Sequence, residues 1–162
     1  MDAIQEKRGN FIGKKITLAG TLIYGDGKTL MELTKEEESL INISTDDKLP
    51  EEIPTPYSQV TVNGEILDPK CYFGVMKPGE GKIHKSCAIR CISGGIPPVF
   101  RNESGDSQKD HQYFLMVDKD GQPINKELLP YVAEKISING RTRKLWGWDV
   151  LYLDPADIKM QN

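Results

Sequence analysis

VTVNG, residues 60–64, alternates apolar and polar side chains and closes on glycine. An alternation of period two marks a half-buried strand. A glycine at its end marks a bend or bulge where a sheet has to coil. The same pattern occurs in ITLAG at 16–20 and ISING at 136–140. A small barrel opens and closes on strands of this kind. Leu-Asp-Pro also occurs twice, at 67–69 and 153–155, each time after an apolar run. Asp-Pro is a turn signal, so each triplet should end a strand.

Working outward from 60–64, the sequence predicts strands over 59–67, from Val99-Phe100, over 113–117, 135–140 and 145–153. Asp118 to Gln122 should turn, with Asp120-Gly121 as the hairpin signal. Residues 123–133 should be a short helix or turn. Residues 101–111, RNESGDSQKDH, read as a polar loop carrying His111, and Arg141, Arg143 and Lys144 as a basic tip between the last two strands. Five strands with a helix before the fourth resemble an OB-like barrel. Val60, Val62, Ile136, Ile138, Val150 and Tyr152 should lie inside it or at its wall. The expected class is therefore mostly β: an OB-like small barrel over 58–162, carrying an inserted loop and short helix at 71–98.

Ahead of it, 1–47 reads as a small N-terminal β unit. One strand is expected over 18–24, a turn at Gly25-Asp26-Gly27 and a return strand over 29–33. A charged loop at 34–38 precedes a third strand through Leu40, Ile41 and Ile43. Residues 48–57 have the prolines and acidic residues of a linker.

The insertion, CYFGVMKPGEGKIHKSCAIRCISGGIPP, holds all three cysteines, at 71, 87 and 91, together with His84. His84, Cys87 and Cys91 stand at i, i+3 and i+7. At about 100° per residue they fall within roughly 60° of one another on one helix face. Gly94-Gly95 and Pro97-Pro98 stop that helix. Gly74, Pro78, Gly79 and Gly81 make the preceding segment a bent loop that can carry Cys71 back over it. Three thiolates and an imidazole suit a tetrahedral zinc site with no open position. Copper, with Met76 as a soft ligand, and iron stand as alternative ions.

Two other readings of the cysteines remain open. Cys71 can form a disulfide with Cys87 or Cys91, though Cys87 and Cys91 are badly placed for one another. Lys82, Lys85 and Arg90 would in that case lower a thiol pKa and make a redox protein. Alternatively the thiols are small buried apolar groups. The haem-attachment C-x-x-C-H and the thioredoxin C-x-x-C are absent. Asp68, three residues before Cys71, reads as a turn residue able to orient a metal-bound His84.

The run D-P-K-C-Y-F-G-V-M-K-P-G-E-G-K-x-H-x-x-C-A-x-R-C-I-S-G-G-I-P-P resembles the signature of a group of bacterial proteins without an assigned activity. The resemblance is dense over 68–98 and looser over about 58–158. It implies a membrane-anchored envelope protein, with hydrophobic segments ahead of a soluble β-rich domain.

With 162 residues, 38% hydrophobic and 28% charged, the chain has the composition of a polar globular protein. A net charge of −3 supplies no positive field for nucleic acid. Tyr72, Phe73, Trp146 and Trp148 are the aromatics a single-strand binder would use, with Trp146 and Trp148 expected on one side of one strand. No apolar run approaches the ~18 residues that span a bilayer, and residues 1–12 lack the core of a signal peptide. As it stands the chain is expected in the cytoplasm. As a piece of an anchored parent it belongs on the periplasmic face, reaching the membrane only through a segment outside this sequence. No catalytic motif, phosphate loop or dinucleotide fingerprint is present. The sequence thus points to metal binding with an unidentified protein partner rather than to an enzyme.

Overall fold

The computed structural model describes residues 9, 11, 13–44, 53–74, 76–103 and 111–161. The chain divides into two compact units, Met1–Glu52 and Ile53–Asn162. Residues 45–52, including the first half of the stretch read as a linker, and 104–110, most of the polar loop, lie outside the described residues.

In the first unit β1 (Lys15–Leu18) pairs antiparallel with β4 (Leu40–Ser44), and β2 (Thr21–Gly25) with β3 (Lys28–Glu32). The single strand expected over 18–24 is thus two strands, broken at Ala19-Gly20. A Cβ on Gly20 would meet the Glu32 carbonyl oxygen, so the chain bends where only glycine fits. The charged loop expected at 34–38 winds into a 3-10 turn, Glu36–Ser39. Phe11 and Leu40 form a small core with Ile16, Leu18, Leu33 and Ile43 packed on it.

The second unit is a closed five-stranded barrel. Its strands are β5 (Ser58–Leu67), β6 (Val99–Asn102), β7 (Gln112–Asp118), β8 (Lys135–Leu145) and β9 (Trp148–Leu153). They are joined in the order β8-β5-β6-β7-β9, and β9 returns to β8 to close the ring. Only β7 and β9 run parallel. Between β7 and β8 lie a short helix, Asn125–Leu128, and a 3-10 turn, Leu129–Tyr131, where an OB-like barrel carries its helix. A further strand, β10 (Ile158–Met160), adds to β8 from outside and was not foreseen.

The barrel is filled by Val62, Ile66, Phe100, Phe114, Met116, Ile136, Ile138, Leu151 and Leu153. Val60 packs at its margin. Val150 and Tyr152 are buried as expected, but the inward side chains of β9 are Leu151 and Leu153. Tyr152 instead stacks edge-on with Tyr57 at 5.2 Å. Thr55 and Tyr57 lie against β8 and β9, with the Lys144 amide donating to Thr55 Oγ1 at 2.7 Å.

Two further expectations are corrected. Gly140 does not end its strand, which runs on to Leu145, whereas β5 reaches Leu67 as expected, with Gly64 inside it. A Cβ on Gly64 would collide with the Arg101 carbonyl, so this glycine lets β6 cross close against β5. Arg141, Arg143 and Lys144 accordingly lie within β8. The turn between β8 and β9 is Trp146-Gly147, both at positive φ, so Trp146 and Trp148 do not share a strand face.

Candidate metal centre

The insertion leaves the barrel at the end of β5. Asp68 follows Leu67, and its Oδ1 accepts from the Lys70 amide at 2.9 Å. That cap starts α1 (Pro69–Phe73), with proline at its first position, where no amide hydrogen is needed. Asp154 does the same after β9, accepting from the Ala156 amide at 3.0 Å. Both Leu-Asp-Pro triplets end a strand in this way. Helix α1 holds Cys71. The chain then bends through Gly79, where a Cβ would strike Tyr72 Cα, and reaches His84. His84 caps α2 (Lys85–Ser93), and the short helix Asn125–Leu128 is α3. Ala88 and Ile92 turn one face of α2 into the barrel core. Asn125 Nδ2 donates to the carbonyls of Ile92 and Ile96, tying the end of α2 to α3. Cys87 and Cys91 stand on the side of α2 toward Cys71.

A row of polar side chains fixes the loop to the barrel's outer wall. Register places Lys135, Glu65, Arg101 and Tyr113 side by side on β8, β5, β6 and β7. Glu65 Oε1 accepts from the Gly81 amide at 2.6 Å, and its other oxygen lies 3.4 Å from Lys135 Nζ. Arg101 pairs with Glu80 of the loop and with Glu103 at 2.6 Å, and donates to Tyr72 Oη at 3.3 Å. Tyr72 and Phe73 pack on Tyr113. These two aromatics are therefore committed to holding the loop. The buried charges of Glu65 and Arg101 escaped the sequence reading, because neither belongs to an apolar pattern or a motif.

The structure brings the sulfurs of Cys71, Cys87 and Cys91 within 4.8 Å of one another. All three are free thiols. The Cys71 and Cys87 sulfurs are 3.9 Å apart, far beyond the ~2.05 Å of a disulfide. Sulfurs bound ~2.3 Å from one tetrahedral zinc would stand about 3.8 Å apart, so this separation is already the edge of such a site. His84 joins a second group, with Asp68 and Cys71, whose ligand atoms also lie within 4.8 Å of one another. His84 is 5% exposed, and its Nε2 is buried without a hydrogen-bond partner. An orphaned imidazole nitrogen on a residue grouped with the Cys71 thiol and the Asp68 carboxylate fits a metal ion. Asp68, expected as a turn residue able to orient a metal-bound His84, is thus also a candidate donor. His111 sits beside Tyr113, their ring centroids 6.3 Å apart, and is in neither group.

The electrostatics oppose an activated thiolate. Burial, then the neighbouring Asp68 carboxylate, pushes Cys71 well above the ordinary thiol range. The same causes push Cys91 up to about 11. The cations expected to lower these values are engaged elsewhere or exposed. Lys85 binds Glu134 at 2.6 Å, Lys82 approaches the same carboxylate at 3.8 Å, and Arg90 faces solvent. Only a bound cation would make these thiols thiolates at neutral pH.

No family model, curated protein or solved structure matches the chain. Among the described residues no helix is long and apolar enough to cross a membrane.

Proposed function

We propose that this is a metal-binding domain in which Cys71, Cys87, Cys91 and His84 hold zinc. The ion staples the 71–98 insertion to itself, joining α1 to α2. The observation that carries the reading is the convergence of three unbonded sulfurs, one from α1 and two from α2, with Cys71 grouped in turn with His84, whose Nε2 has no partner. Cys71 and Cys87, 16 residues apart in sequence, bring their sulfurs together without bonding to each other, and a shared cation accounts for that. With so much of the insertion polar, the ion supplies folding free energy that apolar burial does not. The domain's role in this reading is binding or assembly within a bacterial envelope protein, with a protein partner.

Elemental analysis of protein purified without added metal, paired with thiol counting, tests it. At least one zinc per chain and no reactive thiol until a chelator is added is the expected result. Metal-free protein that does not take up zinc ends the reading.

Proton release is a second expected result. Cys71 and Cys91 bind their protons tightly in the metal-free protein, so zinc must displace about two protons from these groups at pH 7. Zinc affinity should therefore climb with pH and fail as pH drops. The metal-free fold should behave oppositely. A thiol whose folded pKa is raised contributes stability below its unfolded value of ~8.5, and that stability is lost as pH rises toward the folded value. Calorimetric titration in buffers of different ionisation enthalpy counts the protons, and release of none contradicts the thiol ligands.

A further inference from the structure

The two donor groups share one atom, the sulfur of Cys71. The second group carries two signs of an unmet ligand. Asp68 is 0% exposed, spends Oδ1 on the Lys70 amide, and leaves Oδ2 buried with no partner. His84 Nε2 is in the same condition. Each buried, unpaired polar atom is costly, and a charged one more so. A cation among the three sulfurs leaves Asp68 Oδ2 unsatisfied. A cation among Asp68, Cys71 and His84 satisfies both orphans but leaves Cys87 and Cys91 aside.

Charge balance points the same way. Three thiolates and one carboxylate carry four negative charges. One divalent ion would leave two of them uncompensated in a largely buried place, which is expensive. Lys82 and Lys85 do not make up the difference, since both turn to Glu134.

We propose that the centre holds two divalent ions, bridged by the Cys71 thiolate. One ion is bound by Cys71, Cys87 and Cys91, the other by Asp68, Cys71 and His84. This rests on the metal reading above and divides its ligands, giving His84 to the second ion. The thiol protons pass to solvent as the ions bind, so the four negative charges meet four positive ones. The first position is soft and the second mixed in character; zinc and cadmium suit both. With three protein donors each, both ions keep an open coordination position, which a purely structural zinc lacks.

The test is metal counting on the full chain. Metal-free protein is saturated with cadmium, desalted, and assayed for cadmium per chain, with thiolate-to-cadmium absorption recorded alongside. Two ions per chain are expected. Asp68→Asn keeps an oxygen to cap α1, and His84→Ala leaves the cysteines in place. Each should bind one ion with the thiolate absorption retained. Saturation of the unmodified protein at one ion overturns the proposal while leaving the single-ion reading intact. Zero ions overturns both. Two ions in Asp68→Asn and in His84→Ala alike would also sink it, because the second position would then lie elsewhere. The unmodified protein's count decides even if a variant fails to fold.

Discussion

Cys71→Ser is expected to strip the protein of metal and open the insertion to proteolysis. Cys71 alone belongs to both donor groups, and it is the only thiol ligand outside α2. Without it no donor on α1 except Asp68 reaches toward α2, so the ion no longer joins the two segments. Structural zinc contributes on the order of 10 kcal/mol in small domains, and most of that should be lost. A serine hydroxyl is nearly the size of the thiol but does not ionise to replace the thiolate. Cys87→Ser and Cys91→Ser remove donors from α2 only and should weaken binding less. Trypsin provides the readout. Lys82 is 81% exposed at the side chain, between Gly81 and the start of α2. Rapid cleavage there in Cys71→Ser, and slow cleavage in the metal-loaded parent, is the expected pattern. Chelation of the parent should reproduce the variant's pattern. Full metal occupancy in Cys71→Ser would remove Cys71 from the ligand set and leave Asp68 or solvent in its place.

The barrel was legible because its strands obey a simple period. Residues 59–67 alternate, the Leu-Asp-Pro triplets stop two strands, and Pro123 to Ala133 contains the helix an OB-like barrel needs. What failed failed locally. Gly140 signals close approach of neighbouring backbone as readily as a strand end, and only the tertiary partner tells the two apart. Trp146 sits at positive φ, a conformation for which tryptophan gives no sequence signal. β10 is three residues long and pairs only at its edge, too short for a periodic pattern.

The site was legible in part. The i, i+3, i+7 spacing placed Cys87 and Cys91 on one face of α2, and the glycine-rich loop returned Cys71 to it. His84 heads the same helix, but its grouping with Asp68 depends on the turn of α1, which no spacing encodes. Asp68 announced itself only as a cap. Its second oxygen matters because the first is already used, a fact of geometry rather than of residue type. The thiol pKa values reversed the expected direction for the same reason. Lys82 and Lys85 are near the cysteines in sequence, but Glu134, 49 residues beyond Lys85, takes them both.

Glu65→Ala should destabilise the barrel by about 3 kcal/mol and loosen the metal loop with it. The Glu65 side chain is 3% exposed, on β5's outer face two residues before its end at Leu67. Its Oε1 is the acceptor for the Gly81 amide, and Gly81's carbonyl in turn accepts from the His84 amide at 2.9 Å. Alanine leaves the Gly81 amide without its partner and opens a void under the loop. Removing one member of a buried pair costs about 3–5 kcal/mol. The low end applies here, because Lys135 is 53% exposed and keeps Glu103 at 2.6 Å. Glu103 is a sound second partner. Burial would raise its pKa, but Lys135 and Arg101 outweigh that and hold it below the ordinary carboxylate range. Glu65→Gln separates hydrogen bond from charge. It preserves an oxygen for Gly81 and the shape of the side chain, so its cost should be about 1 kcal/mol or less. Urea unfolding of metal-free protein measures both without interference from the ion. Metal affinity, measured separately, should fall in Glu65→Ala and stay near the parent's in Glu65→Gln, because the route to His84 runs through the Gly81 hydrogen bond. Equal losses of stability in the two variants would mean that the charge paired with Lys135, not the bond to Gly81, carries the contribution of Glu65.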